Sequence, residues 1–573
     1  MAVRRRVGRL RARYVFPRTV SARKRVAVVT GGAGGIGAAI AESLGRESWH
    51  VVTVDPLVTL DGTERLPAQE DSTAARIVAA GGSARASSAS VTDAGAVRAL
   101  FAELAEEHGG LDAVVNVAGI TRQSYFARGT EEDWVALLNV HLGGYVNVLE
   151  AALPLMAEAG FGRILGVTSG SGWRVQDAGG YSAAKRAVAA LTCQLAAVAP
   201  PGVTVNAISP IANTRMVVAA LERARAEGRS GGGGGLSLDA IPGPENLGPL
   251  GAYLVGDRTG WCNGQVLFAG GPEVAVVDQP RLIEVVRTED VVSLAGVLDA
   301  VVPRAFATAE AKNATDGGAN PRFGSIFEAP AAAELPAGDV RSCALVSERH
   351  EMNAALTSSL AARGIVCHQT EPARSFDGAA KALRTTLDAS GPVDAVVVAL
   401  AKQAGSSSTT PGWQDVLADH RDLVEHLHAD AAWTRAVADY AVGSDRPARM
   451  VTLTDATTPA GRSRAQSAAQ IARIAASGSG RRVTALAVAM ESAEPDAARQ
   501  SGELIGHLLG HPEAGAALAG AELVVGAGWI GLRNHPRPIG TVVYGGPAIP
   551  QWMDGALGEI VGAPGPGRPR EPR

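Results

Sequence analysis

A short apolar run, Val26-Ala27-Val28-Val29-Thr30, leads directly into Gly31-Gly32-Ala33-Gly34-Gly35-Ile36-Gly37, and a helical segment begins at Ala38. No other stretch restricts the fold as tightly. The β-branched run reads as a buried strand. The glycines let backbone approach a pyrophosphate, and the helix start offers N–H groups and the positive end of its dipole. The G-x-x-x-G-x-G spacing alone is a weak signal. Between a strand and a helix it becomes a strong one, and Gly31, Gly35, Ile36 and Gly37 are the positions it marks for a dinucleotide.

The next apolar run, Val51 to Val54, ends in Asp55, 18 residues beyond Gly37. A carboxylate there accepts both hydroxyls of an adenosine ribose and repels a 2′-phosphate. No arginine lies in the glycine loop, so the expected cofactor is NAD rather than NADP. Strand and helix patterns then alternate: helices near 70–80 and 94–108, and a strand through Leu111-Asp112-Ala113-Val114-Val115-Asn116-Val117-Ala118-Gly119. A helix follows from Glu131 to Leu149, then the strand Gly162 to Ser169. Asn116, Ala118, Gly119 and Ser169 therefore stand at the ends of parallel strands, where ligands sit in a doubly wound sheet.

Twelve residues after Ser169 comes Tyr181-Ser182-Ala183-Ala184-Lys185. The chain has five lysines among 53 basic residues, so a lysine one helical turn after a tyrosine suggests a role arginine cannot fill. Alone, the pair also fits a surface tyrosine beside a surface lysine. With Ser169 upstream, a hydroxyl, a phenol and an ammonium can converge. Tyr181 would act as general acid/base on a carbonyl or alcohol, with its pKa lowered by Lys185, and Ser169 would hold the substrate oxygen.

Thr30-Gly-x-x-x-Gly-Ile-Gly37, Asn116-Val-Ala-Gly119, Ser169 and Tyr181-x-x-x-Lys185 together resemble the short-chain dehydrogenase/reductase family, over about residues 24–285. The resemblance implies hydride transfer between NAD(H) and a secondary alcohol or ketone. It also implies that Lys185 binds the ribose and that Thr214, within Pro210-Ile211-Ala212-Asn213-Thr214-Arg215-Met216, contacts the nicotinamide end. Three positions depart from the pattern: His141 where the family often has a relay asparagine, a Ser169–Tyr181 interval one residue short, and Ile211 in place of a frequent glycine. The Val-His-Leu run at His141, Asp61-Gly62-Thr63, Ile120-x-Arg122 and Thr214-Arg215-Met216 are similar to the dehydrogenase units of multifunctional β-oxidation enzymes. That branch implies a 3-hydroxyacyl-CoA substrate, with His141 relaying protons or serving as a buried structural histidine. Two other readings stay open: an NAD(P)H ketoreductase of a fatty-acid or secondary-metabolite pathway, and a non-catalytic nucleotide-sensing or scaffolding protein.

At 573 residues the chain exceeds one ordinary domain. Residues 1–24 form a basic arm expected to be disordered. Beyond residue 25 the chain carries 43 basic against 57 acidic groups, which disfavours nucleic acid as the main partner. The four cysteines are scattered, arguing against a metal site or disulfide framework. No apolar run approaches the roughly 18 residues of a membrane span. A reducing, cytoplasmic setting is expected. Residues 25–287 are expected to form the NAD-binding catalytic domain, with a glycine-rich covering segment at 217–244. Residues 288–338 read as a helix plus linker.

Beyond the linker the pattern starts again. Cys343 to Ser347 parallels Val26 to Thr30, Trp413 and His420 repeat the interval of Trp134 and His141, and Gln466-Ser467-Ala468-Ala469-Gln470 falls where Tyr181 to Lys185 would fall. Residues 339–545 are thus expected to be a degenerate second copy of the fold. Glu348 to Asn353 cannot cradle a pyrophosphate, and Gln466 and Gln470 carry no acid/base chemistry. The copy is expected to pair with the first as an intrachain pseudo-dimer, with a homodimer also possible. Residues 546–573 read as a tail.

Overall fold

The computed structural model describes residues 23–68, 70–122, 124, 129–175, 177–226, 241–289, 291, 293–315, 340–401 and 411–562. Two parallel-dominated sheets are flanked by helices. The first contains β1 (Val26–Thr30), β2 (His50–Val54), β3 (Ser83–Ser87), β4 (Ala113–Asn116), β5 (Gly162–Val167), β6 (Val203–Pro210), β7 (Val266–Gly270) and β8 (Glu273–Val277). Its order is β3-β2-β1-β4-β5-β6-β7-β8, with β8 antiparallel to β7. The strand order reverses between the parallel neighbours β1 and β4, which opens the crevice where doubly wound folds bind ligands. Both faces are covered, so Val26, Val28, Val52 and Val114 pack into one cluster while Ala27, Val29, Val51 and Val115 pack into another. This two-sided burial explains why the strands read as continuous apolar runs.

The second sheet contains β10 (Ser342–Ser347), β11 (Val366–Thr370), β12 (Ala395–Ala399), β13 (Ala448–Asp455), β14 (Val483–Met490), β15 (Glu522–Gly526) and β16 (Trp529–Arg533). Its order, β11-β10-β12-β13-β14-β15-β16, follows that of the first sheet from β2 to β8, with no strand in the place of β3 among the described residues.

The sheets exchange their edge strands. β9 (Leu282–Arg287) leaves the first unit and pairs antiparallel with β16, Trp529 opposite Arg287. β17 (Pro538–Val543) returns from the second unit and pairs antiparallel with β8, Val543 opposite Glu273. Each unit thereby covers the exposed edge of the other. The sequence boundaries at 287 and 545 do not follow this crossing. Nor is the stretch after 545 simply a tail. Met553 and Leu557, on the helix Met553–Val561, are buried in the first unit's core, and Tyr253 Oη donates to Asp554 at 2.6 Å. Arg23, assigned to the basic arm, is likewise anchored: both its Nη atoms lie 2.7 Å from the Asp112 carboxylate. The covering segment's glycines Gly231–Gly235, the arm up to residue 22, the linker from 316 to 339 and the stretch after 562 lie outside the described residues.

The helix read at 291–307 becomes Leu294–Val301, a π turn over Val302–Phe306 and Ala307–Thr315, burying Leu294, Leu298, Val302 and Phe306 in the second core. In the first unit, Glu131–Ala159 is a continuous helical run that is long and apolar enough by composition to cross a bilayer. Here 61% of its apolar window is buried inside the protein, as in a core helix. Leu138, Leu142, Leu149 and Leu153 are fully enclosed.

The two units meet through the helix Gly180–Val198, which lies against Pro459–Gly478. Small residues on both helices allow close approach, and polar groups fix the register. Ser467 Oγ donates to Ala183 O at 3.1 Å, and Gln194 Nε2 to Ser463 Oγ at 2.8 Å. Arg186 and Glu522 form an ion pair at 3.2 Å across the seam, 3% and 1% exposed. A pair this dry specifies the docking geometry more than it adds net stability, because desolvation offsets much of its attraction.

Candidate active site

The glycine loop is shaped by backbone crowding. Gly31 has φ +64°, and a Cβ there would stand 2.9 Å from Ala118 N. A Cβ on Gly37 would meet Gly31 O at 2.2 Å, so the first turn of the helix Gly35–Arg46 closes against the loop only because the side chain is absent. On the other side, Thr214 and Arg215 face the loop. Thr214 Cγ2 lies 3.6 Å from a Cβ built on Gly35, and Arg215 Nη2 lies 3.4 Å from one built on Gly34. A pyrophosphate fits this cradle: bare backbone and a helix N-terminus beneath, with a hydroxyl and a guanidinium alongside. Asp55 stands at the end of β2, its Oδ2 accepting from Ala33 N at 3.3 Å and its Oδ1 from Leu57 N at 2.9 Å. Asn116 is buried and accepts from Thr30 Oγ1 at 2.8 Å, while Thr30 Oγ1 accepts from Ala118 N at 3.2 Å. Asn116 therefore shapes the floor of the cleft by tying β1 to β4. Ile36 packs at the margin of the core beside this loop.

Ser169 follows the end of β5, and its hydroxyl accepts from Ser171 N at 3.2 Å. The chain then takes a 3-10 turn over Gly170–Gly172 and enters the helix Gly180–Val198 through Gly179 at φ +53°. A Cβ on Gly179 would fall 1.4 Å from Ser124 O, so this abrupt entry requires glycine. The shortened Ser169–Tyr181 interval thus still brings the two hydroxyls together, and a hydrogen bond from Ser169 favours the ionised phenol.

Lys185 is 4% exposed, with Nζ donating to Val167 O at 2.6 Å and lying 5.6 Å from the centre of the Tyr181 ring. Burial lowers its pKa to about 7. The sequence argument has Lys185 lowering the Tyr181 pKa. In the structure burial dominates and raises it, and the opposing influences are the Ser169 hydrogen bond and the Arg174 guanidinium. Arg174 was not singled out from the sequence, where it is one arginine among many in a loop. Its own pKa is lowered to about 10 by burial, against the pull of Tyr181.

His141 stands on a π turn, Asn139–Gly143, that interrupts the helical run. Such turns re-aim side chains and recur at functional sites. Its ring meets Tyr181 edge-on, with centroids 5.0 Å apart. Nε2 lies 2.9 Å from Ile120 O and 3.3 Å from Ile120 N, while Nδ1 is buried with no hydrogen-bond partner among the described residues. Burial, aided by Lys185, holds its pKa well below the ordinary value, so the imidazole is neutral. Gly119 leaves room for it, since a Cβ there would stand 2.5 Å from His141 Cε1.

Residues 25–224 match the short chain dehydrogenase family. The chain is 34% identical over 250 residues to an acetoacetyl-CoA reductase of Allochromatium vinosum, spanning 97% of that protein and 43% of this one. It belongs to the short-chain dehydrogenase family. It is also 34% identical over 269 residues to the hydroxyacyl-CoA dehydrogenase ChsB1 of Mycobacterium tuberculosis, spanning 81% of that protein and 45% of this one. The N-domain of a bacterial malonyl-CoA reductase, solved with NADP, covers 88% of this chain with a TM-score of 0.59 at 15% identity, a likeness of fold across both units. This short-chain dehydrogenase is thus an NAD(P)-dependent oxidoreductase acting on CH–OH groups.

In the second unit of this short-chain dehydrogenase, side chains of the loop after β10 are tied to neighbouring strands and loops. Glu348 Oε2 accepts from Ala401 N at 2.6 Å and from Arg374 Nη2 at 2.7 Å, and Arg349 pairs with Asp455 at 2.9 Å. His420 has both ring nitrogens engaged, by Val416 O at 2.7 Å and Ser463 Oγ at 2.9 Å. Gln470 reaches the first unit, where Nε2 donates to Ser171 O at 3.1 Å and Arg174 O at 2.6 Å.

Proposed function

We propose that the first unit interconverts a 3-hydroxyacyl and a 3-oxoacyl thioester with NAD(H), at a site formed by Ser169, Tyr181, Lys185 and His141. The observation that carries this reading is the meeting of Ser169 and Tyr181 beside a buried Lys185, opposite the glycine cradle. Acyl-CoA relatives on both sides of the reaction, a reductase and a hydroxyacyl dehydrogenase, support the thioester class.

NAD(H) bound over the cradle would accept or deliver the hydride. Gly31, Gly35, Ile36, Gly37, Ala118, Gly119 and Thr214 would line its path, with Asp55 on the adenosine ribose and Lys185 on the nicotinamide ribose. Asp55 supports NAD over NADP, since a 2′-phosphate would face its carboxylate. Asn116 supports this floor through Thr30.

In ketone reduction, Tyr181 Oη gives its proton to the carbonyl oxygen while Ser169 Oγ holds that oxygen in place. In alcohol oxidation the phenolate takes the proton back. Arg174 and Ser169 stabilise the phenolate against the cost of burial. His141, neutral and hydrogen-bonded to Ile120, passes protons between the Tyr181–Lys185 side and the cleft. The second unit is a degenerate copy that serves as a built-in partner, supported by its matching strand order and its helix-to-helix seam. The test is Tyr181→Phe assayed with acetoacetyl-CoA and NADH. Turnover should fall by about 10²–10⁴ with NADH binding intact, and unchanged turnover would refute the assignment.

A further inference from the structure

Three ligand-type side chains converge on the surface of the second unit. His507 and His511 lie one helical turn apart around the C-terminus of Pro495–Gly510, and Asp299 projects from the helix Leu294–Val301. One donor atom from each lies within 4.8 Å of the other two. Asp299 Oδ1 is 3.2 Å from His507 Nδ1 and 3.7 Å from His511 Nε2. Two ligands of one tetrahedral zinc ion, each at about 2.0–2.1 Å, stand roughly 3.3–3.4 Å apart, so these spacings are edges of such a site.

The orientation of the groups adds an independent point. His507 is 2% exposed, with Nδ1 facing the Asp299 carboxylate and Nε2 without a hydrogen bond among the described residues. His511 Nδ1 is engaged by His507 O at 3.0 Å, which directs Nε2 toward Asp299 and settles its tautomer in the manner of outer-sphere support. Asp299 and His511 are more than half exposed, so an ion has a path in, and water can complete the sphere. The Arg363 guanidinium near His507 is paired with Glu503 at 3.0 Å.

We propose that Asp299, His507 and His511 bind one divalent transition-metal ion of the zinc class, pinning the helix Leu294–Val301 to Pro495–Gly510. Two imidazoles and a carboxylate suit zinc over magnesium or calcium, which prefer all-oxygen shells. The pinned helix follows β9 directly, so the ion secures the point where the first unit's chain crosses into the second. The role is structural and separate from the dehydrogenase cleft.

The experiment uses the full chain, free of any histidine tag and stripped with a chelator, titrated with ZnCl₂ against a chromogenic zinc indicator. One zinc per chain is expected, with affinity at least about tenfold weaker in His511→Ala and in Asp299→Asn. Zinc should raise the melting temperature of the unmodified chain but not of either variant, and NADH-dependent turnover should be the same in all three. Both variants change exposed groups, so their melting temperatures without zinc should match that of the unmodified chain. Absence of stoichiometric uptake, or uptake that both variants leave unchanged, would overturn the proposal.

Discussion

Gln470 Nε2 donates to the backbone carbonyl of Arg174 at 2.6 Å, although the two residues come from different units of the chain. The same amide reaches Ser171 O at 3.1 Å, and Gln470 is only 2% exposed. Both carbonyls belong to the loop between Ser169 and Tyr181. Gln470→Leu keeps the bulk, removes the donor and strands two acceptors, at about 1–3 kcal/mol each. The expected result is a lower melting temperature and a kcat reduced by about tenfold. The rise of alcohol oxidation with pH should also move to higher pH, because Arg174 no longer stands fixed beside Tyr181. Arg174→Gln should give the same pH displacement, and an unmoved pH profile in both variants would count against this coupling.

Cofactor choice should depend on Asp55. Removing its carboxylate in Asp55→Ala deletes a ribose acceptor and the repulsion of a 2′-phosphate. The ratio of kcat/KM with NAD to that with NADP should fall by about 10–100-fold. Steady-state kinetics with both cofactors measures it.

His141 can be tested through its neighbour. Gly119→Ala places a Cβ 2.5 Å from His141 Cε1, so the ring must move or the loop must shift. Loss of most turnover with a destabilisation of about 1–3 kcal/mol is expected. His141→Asn, the residue the family often uses here, should retain far more activity than His141→Leu. Equal activity in the Asn and Leu variants would reduce His141 to a packing role.

Lys185 makes a pH-dependent contribution to stability. Its pKa is about 7 in the fold against an ordinary value of 10.5 for a solvated lysine. Between those values the unfolded chain binds the extra proton, so stability rises as pH rises through this window. Below pH 7 the buried charge costs about 3–5 kcal/mol relative to a neutral side chain. Lys185→Met should therefore be more stable than the unmodified chain at pH 6, with the difference shrinking toward pH 10. Melting temperatures compared across that range, without cofactor, provide the check.

Much of the first unit is legible because its signals are local. Val26 to Gly37 states strand, turn and helix within twelve residues, and the helix expected at 94–108 is observed as Ala94–His108. Tyr181 and Lys185 share a helix, so their spacing alone places them together. The exposed strand Leu282–Arg287 was assigned to the first unit because chain order carries no record of which sheet edge a strand will join. Met553–Val561 was hidden among glycines and prolines, and its burial depends on a surface formed about 300 residues earlier. Arg174 and Gln470 bear no sequence mark, since an arginine in a loop and a glutamine on a helix become informative only through what faces them.

By itself the sequence determined the doubly wound architecture, the glycine turn after β1 and the placing of Tyr181 and Lys185 on one helix, because each follows from backbone sterics or periodicity acting over a few residues. Tertiary structure decided the exchange of β9 and β17, the Gln470 contact to the loop between Ser169 and Tyr181, and the balance of influences on Tyr181. Those depend on desolvation and on groups brought together from distant parts of the chain. Both are properties of the packed molecule, and no local pattern encodes them.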